Sequence, residues 1–331
     1  MKTLIDAYLQ LGFLDGFYSA LSEIDVSDML VGGENISRVE RLYNFINKKA
    51  VLHLDFGHEL FSERAQSNVY YRHLLKVSQT GGSKLDFIPS AFVEGFDKNI
   101  CLNTNAHTFF MLNGSEEEIM EIRNRYGLYA ANLSVIKANE FCFGDNWTIN
   151  ISSDVNVNEF SGWNFLKSLK APSSFMILSD NYILDNSKGF DLNIYTMLKN
   201  ILPDYLKNKT LNIALVIKEY DIAKASSIFN KISMFLDSMS LPYEYNLALL
   251  LTRINDPHDR NLLTNYYWIH SGHSFDYYDD KGVINKKTTL HFQSLINSSR
   301  NVQQLLESFK LLYNRSIQGI NRIGQIDVSQ L

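Results

Sequence analysis

The sequence predicts an α/β protein of two domains, with a mostly parallel sheet covered by helices on both faces in its C-terminal half. Three observations predict this. Apolar residues make up 45% and charged residues 20% of 331, ordinary values for globular domains, and the length suits two domains of about 150 residues each. From residue 174 onward, strand-like and helix-like stretches alternate, the order that right-handed crossovers impose. The run Leu247-Ala248-Leu249-Leu250-Leu251 is continuously apolar, as a strand buried on both faces requires.

The N-terminal half, residues 1–155, reads as a second α/β or α+β domain. Its first stretch, 3–22, reads as an amphipathic helix, because Asp6, Gln10 and Asp15 interrupt an otherwise apolar run. Val31-Gly32-Gly33 is a turn, and 35–48 a second helix. In Ala50–Phe56, Leu52, Leu54 and Phe56 alternate with His53 and Asp55, the period of a half-buried strand. A helix over 66–78, a strand over 84–88 and a strand over 107–112 follow. Ser115 and Glu118 match a capping box, in which a hydroxyl and a carboxylate each accept an orphan N–H at a helix start. Residues 128–151 read as several short strands, and the polar stretch 152–159 places a domain boundary near 155–172.

The second domain, 170–331, is clearer. Strands are predicted at 174–178, 211–218 and 243–252, and helices at 190–202 and 221–239. Two short strands near 260–264 and 266–271, a strand near 287–293 and a helix over 299–315 complete it.

Composition excludes several classes. A net charge of −5 rules out coating of nucleic acid or anionic membrane by bulk charge, so any phosphate binding has to be local. Cys101 and Cys142 lack CxxC spacing, so a disulfide framework and a cysteine zinc site are not expected. His53, Asp55 and His58 have metal-ligand types but no evident fourth ligand, and they read as histidines at a core edge; no metal or cofactor is expected. Phe92–Asp97 carries a glutamate in a Toprim-like setting, yet only the distant Asp180 and Asp185 would complete such a site. Without a spanning apolar run or a signal sequence, a cytoplasmic location is the expectation.

Ligands of an open parallel sheet bind outside the carboxyl ends of its strands. Three such ends are polar here: Asp180, Asn181 and Asp185; Glu219 and Asp221; and Arg253, Asn255, Asp256, His258, Asp259 and Arg260. The third adjoins the segment HDRNLLTNYYWIHSGHSFD, residues 258–276. That segment resembles the phospholipase D superfamily half-site, H-x-K-x4-D-x6-G-S-x2-N. His258 and Gly272 match outright, while Arg260, Asn265, His273 and Asp276 stand at the Lys, Asp, Ser and final Asn positions, with no gap. The His258-Asp259-Arg260 start, the aromatic strand Tyr266-Tyr267-Trp268-Ile269 and the turn Gly272–Asp276 make it similar to degenerate members such as the C-terminal domains of MIT proteins.

The resemblance implies a phosphate-recognising site. His258 would be the catalytic position, Arg260, Arg253 and His273 would hold phosphate, and Asp259, Asn265 and Asp276 would support them. Arg260 keeps phosphate recognition through its planar fork. Asn265 cannot supply the charge that steadies a protonated imidazole, so catalysis suffers more than binding. No second H-x-[KR]-x4-[DN] occurs, so cleavage, which uses two histidines, would need a homodimer.

Three readings follow: phosphodiester recognition, most naturally of nucleic acid in a bacterial defence or DNA-processing assembly; a homodimeric nuclease or phosphodiesterase; and a partner-binding scaffold in which Arg260 is paired structurally with an acid such as Asp276. The aromatic cluster Tyr266, Tyr267, Trp268, Phe275, Tyr277 and Tyr278 fits base stacking or strand packing. Lys281, Lys286 and Lys287 form a basic rim in sequence.

Overall fold

The computed structural model describes residues 5–23, 34–89, 104, 108–138, 145–170, 173–182, 190–206, 209–218, 221–252 and 260–331. The chain divides into two compact units, Met1–Gly144 and Asp145–Leu331. Both are α/β.

The first unit holds a five-stranded parallel sheet of β1 (Ile5–Leu9), β2 (Ala50–Leu54), β3 (Lys84–Phe87), β4 (Phe109–Met111) and β5 (Tyr129–Ala131), in the order β3-β2-β1-β4-β5. Its helices are α1 (Leu11–Ser22), α2 (Glu34–Lys48), α3 (His58–Ser67), α4 (Val69–Gln79), α5 (Glu116–Tyr126) and α6 (Leu133–Lys137). The single helix expected over 3–22 is a strand followed by a helix. Ile5, Ala7 and Leu9 are buried and alternate with half-buried Asp6 and Tyr8, a period of two, and Gln10 is extended before α1 begins. The capping box at α5 is formed: Ser115 Oγ accepts the Glu118 N–H at 3.3 Å, and Glu118 Oε2 accepts the Ser115 N–H at 2.8 Å.

One face of this sheet is apolar, with Phe45 of α2 meeting Phe109 of β4 edge-on at 5.5 Å. The other carries His53 between two carboxylates, Nε2 at 2.9 Å from Asp6 Oδ1 and Nδ1 at 2.8 Å from Asp86 Oδ2. Tyr8 stacks on the imidazole at 4.5 Å. Asp55 Oδ1 instead accepts the Leu11 N–H at 2.7 Å, and His58 Nδ1 lies 3.4 Å from Ser62 Oγ. The three residues weighed as metal ligands therefore do not converge, and no other metal-like group of three occurs among the described residues. Cys101, Cys142, Phe92–Asp97 and Asp185 lie outside the described residues.

The second unit is an eight-stranded mixed sheet. Its strands are β6 (Asn146–Ile151), β7 (Phe175–Ser179), β8 (Leu211–Lys218), β9 (Tyr245–Thr252), β10 (Arg260–Thr264), β11 (Tyr267–Ser271), β12 (Thr288–Ser294) and β13 (Arg322–Gly324), ordered β13-β9-β8-β7-β10-β11-β12-β6. Only β7, β8 and β9 are mutually parallel. The crossover between β8 and β9 is α8 (Ile222–Ser238), started by Asp221, whose Oδ1 accepts the Ala223 N–H at 2.8 Å. The remaining pairs are antiparallel. Two residues separate β10 from β11, too few for the crossover a parallel pair requires. The wholly parallel sheet thus belongs to the N-terminal unit, and the C-terminal one has a parallel centre with antiparallel flanks.

β6 pairs with β12 across its whole length, so the structural division precedes residue 145 and the polar stretch 152–159 lies inside the second unit. A one-turn π-helix, Asp191–Tyr195, leads into α7 (Thr196–Ile201), where a single helix over 190–202 is predicted from sequence. The long helix α9 (Leu295–Arg315) covers one face of the sheet. β13 closes the sheet edge by pairing with β9 through Gly324, whose φ of +74° suits glycine and where a Cβ would sit 2.2 Å from the Leu247 carbonyl oxygen. No described helix is long and apolar enough to cross a membrane.

The His53 arrangement has a consequence for stability. Burial pulls the imidazole pKa down, but hydrogen bonds to Asp6 and Asp86 and their charges outweigh it and leave the pKa raised. A histidine whose folded pKa exceeds its unfolded value of about 6.5 stabilises fully below that value and loses the contribution as pH rises through the folded pKa. The stability difference between the native protein and His53→Gln is therefore expected to be largest near pH 6 and to shrink toward pH 9. Urea titrations at several pH values check it.

Candidate functional site

Immediately after the carboxyl end of β7 stands Asp180, which is 1% exposed. Its Oδ2 accepts the Ser274 hydroxyl at 2.9 Å and the Phe275 N–H at 2.7 Å, and its Oδ1 accepts the Tyr182 N–H at 2.9 Å. Burial pushes this carboxyl above its ordinary value, while those three donors oppose the shift. The effect is to pull the β11–β12 loop, residues 272–287, onto the end of the parallel strands. A second clamp comes from Asn193 in the π-helix, which donates to the Tyr278 carbonyl at 2.9 Å and accepts the Tyr278 N–H at 3.1 Å. Between the clamps, Tyr277 stacks on Trp163 at 5.1 Å and donates its hydroxyl to Ser271 Oγ at 2.7 Å.

The loop held this way places three motif residues beside Arg260, the first residue of β10. Arg260 Nη1 donates to the Gly272 carbonyl at 3.2 Å, and its guanidinium lies 5.8 Å from the Tyr182 ring centroid. Asp276, the acid suggested for Arg260 under the scaffold reading, does not form an ion pair with it. Asp276 Oδ2 instead lies 3.5 Å from Lys286 Nζ, and its Oδ1 is buried with no hydrogen bond.

His273 completes the group. Its Nδ1 accepts the Ser274 N–H at 2.9 Å, which leaves the proton of the neutral ring on Nε2. Burial lowers its pKa, and the charges of Lys286 and Arg260 lower it further against the opposing charge of Asp276. A neutral imidazole with a donating Nε2–H is thus surrounded by two cations and one anion.

Asn265 lies elsewhere. It follows the far end of β10 from Arg260, a separation of about 16 Å at a strand rise of about 3.3 Å per residue. Fully buried, it accepts the Ser174 and Phe175 N–H groups at 3.1 Å each on Oδ1 and donates to Ser174 Oγ at 3.2 Å. Its described hydrogen bonds hold the start of β7. Arg253, His258 and Asp259 lie outside the described residues.

Of the aromatic cluster, Tyr266, Tyr267, Phe275 and Tyr277 are buried core residues, which decides for packing at those positions. In sequence Asp180 stands as a polar strand end and a distant Toprim-type carboxylate, and Ser274 only as part of the 272–276 turn, while Tyr182 and Asn193 carry no signal. A buried acid after an apolar strand was the available signal for the first; the others are recognisable only through the tertiary contact.

This arrangement defines an α/β protein with a cationic, histidine-bearing cluster at a strand end. No family model matches the chain, and no curated protein matches it by sequence. Among solved structures it is similar over 51% of its length to TrmBL2, an archaeal chromatin protein whose structure shows a novel mode of DNA binding, at 10% identity and a TM-score of 0.26. It is similar over 56% of its length to phosphatidylserine synthase of Haemophilus influenzae Rd KW20, at 9% identity and a TM-score of 0.31. The overlaps cover 52% and 41% of those chains. Likenesses this partial establish neither a shared fold nor a shared activity.

The Asp180 clamp is testable. In Asp180→Asn one acceptor oxygen becomes an amide facing N–H or O–H donors, so stability should fall by about 1–3 kcal/mol. Chemical denaturation measures it; native-like stability would remove Asp180 as the element that fixes the loop.

Proposed function

We propose that the cluster around Arg260 binds a phosphodiester, with single-stranded nucleic acid as its ligand, and that it binds without cleaving. The observation that carries this reading is the gathering of Arg260, His273 and Lys286 around one loop: Arg260 donates to the Gly272 carbonyl at 3.2 Å, His273 Nδ1 is taken by the Ser274 N–H, and Lys286 stands 3.5 Å from Asp276. Two cations at one strand end can pair with a phosphate in a chain whose net charge is −5. Arg260 supplies the planar donor fork, and the His273 Nε2–H donates to a phosphate oxygen without adding charge.

The retained spacing of the phospholipase D-like half-site from His258 to Asp276 supports the same assignment. Arg253 and His258 are assigned to this site by sequence position. A place in a defence or DNA-processing assembly accompanies the resemblance.

The binding-only part rests on chemistry. Nucleophilic use of a histidine in this half-site calls for an acid that steadies the imidazolium. The residue at that motif position, Asn265, is neutral and occupied at the other end of β10.

Fluorescence anisotropy with a labelled oligothymidylate tests the proposal. Arg260→Ala should weaken binding about tenfold or more, and Lys286→Ala by less, because Lys286 already faces Asp276. For two to four phosphate contacts, log K should fall against log salt with a slope of about −1.5 to −3. Equal binding by a folded Arg260→Ala, or binding independent of salt, would overturn the phosphate site. Oligonucleotide cleavage lost in His258→Ala would overturn the binding-only reading.

A further inference from the structure

The opposite face of the same strands carries a different kind of cavity. Side chains alternate along β10, so Asn261 points away from the Arg260 cluster and toward α9. Two adjoining cavities of about 270 and 330 Å³ lie between that helix and the sheet, and both are lined by Asn261, Leu305 and Ser308. Their combined space is in the range of small-molecule sites.

The lining separates into flat apolar walls and polar ends. Ile177, Val216 and Leu263 form the sheet side, and Leu305 and Phe309 the helix side. At the ends are Ser179, Asn181 and Thr252 on one side and Trp268, His270 and Gln304 on the other. Among the described lining residues there is no Asp, Glu, Lys or Arg.

Asn261 faces both cavities. It is 4% exposed, yet only its Oδ1 is used, accepting the Trp268 indole N–H at 2.7 Å and lying 3.2 Å from His270 Nδ1. An indole N–H can only donate, which fixes the amide orientation and turns Nδ2 the other way. That Nδ2 has no partner among the described residues, and neither has the hydroxyl of Ser179, its register neighbour on β7. With its oxygen taken, the Asn261 amide NH2 is the donor that a ligand acceptor in the cavity would meet.

From these features we infer that the slot between α9 and strands β7, β8 and β10 binds the base of a nucleoside. A purine or pyrimidine has apolar faces and a hydrogen-bonding rim, matching walls of Leu, Ile, Val and Phe with amides and hydroxyls at the ends. A sugar carries hydroxyls around its circumference and would bury some of them against those walls. The described lining offers apolar walls and neutral hydrogen-bonding groups, which suit a ring, and it shares no residue with the Arg260 cluster, so this inference is independent of the Arg260 reading.

Isothermal titration of the full chain with adenosine, guanosine, cytidine and uridine tests it, because nucleosides carry no phosphate. At least one should bind saturably. Ser308→Phe, at an exposed position on the lip of both cavities, should abolish that binding. Asn261→Ala should weaken it roughly three- to tenfold, the effect of one lost neutral hydrogen bond. Arg260→Ala should leave nucleoside affinity unchanged while reducing oligonucleotide binding, which separates failure of this inference from failure of the phosphate site. Absence of saturable binding by all four nucleosides, native-like binding by Ser308→Phe, or saturable binding of glucose without any nucleoside would overturn it. If Asn261→Ala fails to fold because Trp268 loses its anchor, Ser308→Phe decides the matter.

Discussion

A carboxylate buried at the end of an apolar strand has to be surrounded by donors or it destabilises the fold by several kcal/mol. Asp180 finds them in Tyr182, Ser274 and Phe275, and the last two belong to a loop more than ninety residues later in the chain. The demand of one acid for donors therefore decides where that loop lies. Arg260 reaches the carbonyl of Gly272, His273 is drawn between Arg260 and Lys286, and Tyr277 reaches the aromatic layer under Trp163. Asn193 fixes the same loop a few residues on, using its amide in both directions. The cationic cluster is thus held from behind by the buried side chains of Asp180 and Asn193.

The strand itself separates two chemistries. Arg260 and Asn261 are adjacent, and the alternation of side chains sends one to a charged face and the other to a neutral slot under α9. A ligand with a phosphate and a ring presents two unlike surfaces, and a strand end offers two unlike faces within one residue.

The N-terminal unit uses its parallel sheet differently. In the order β3-β2-β1-β4-β5 the strand direction of winding reverses between β1 and β4, the place where such sheets open a ligand crevice. Here the chain's own side chains fill it. Asp55 accepts the first N–H of α1, and Gln10 accepts the Asn113 N–H at 2.8 Å. A helix N-terminus that would attract an anion already holds a carboxylate, and burial pushes that carboxyl upward. The polar work of this unit lies instead on the sheet face, in the Asp6–His53–Asp86 row.

Much of the architecture was legible in residue order. The period-two burial of Ala50–Leu54, the apolar run in β9, the Ser115 capping box and the Asp221 helix start are local signals, and local geometry produces them. The same reasoning merged β1 with α1, because five residues of period two beside a helical run leave too short a signal to separate. A mostly parallel sheet is expected in the C-terminal half, where the β10–β11 hairpin and the strands added on either flank pair antiparallel, and the expected domain boundary falls after β6 although β6 pairs with β12. By itself the sequence determined the α/β class, the strand-end concentration of polar residues and the motif spacing from His258 to Asp276. Only the tertiary structure decided which of those residues meet: Asp276 with Lys286, Asn265 with the start of β7, and Asp180 with a distant loop. The hydrogen bonds of Asn265 and Asp180 join residues 91 and 94 positions apart and depend on how strands are ordered in the sheet, and strand order leaves no local pattern to read.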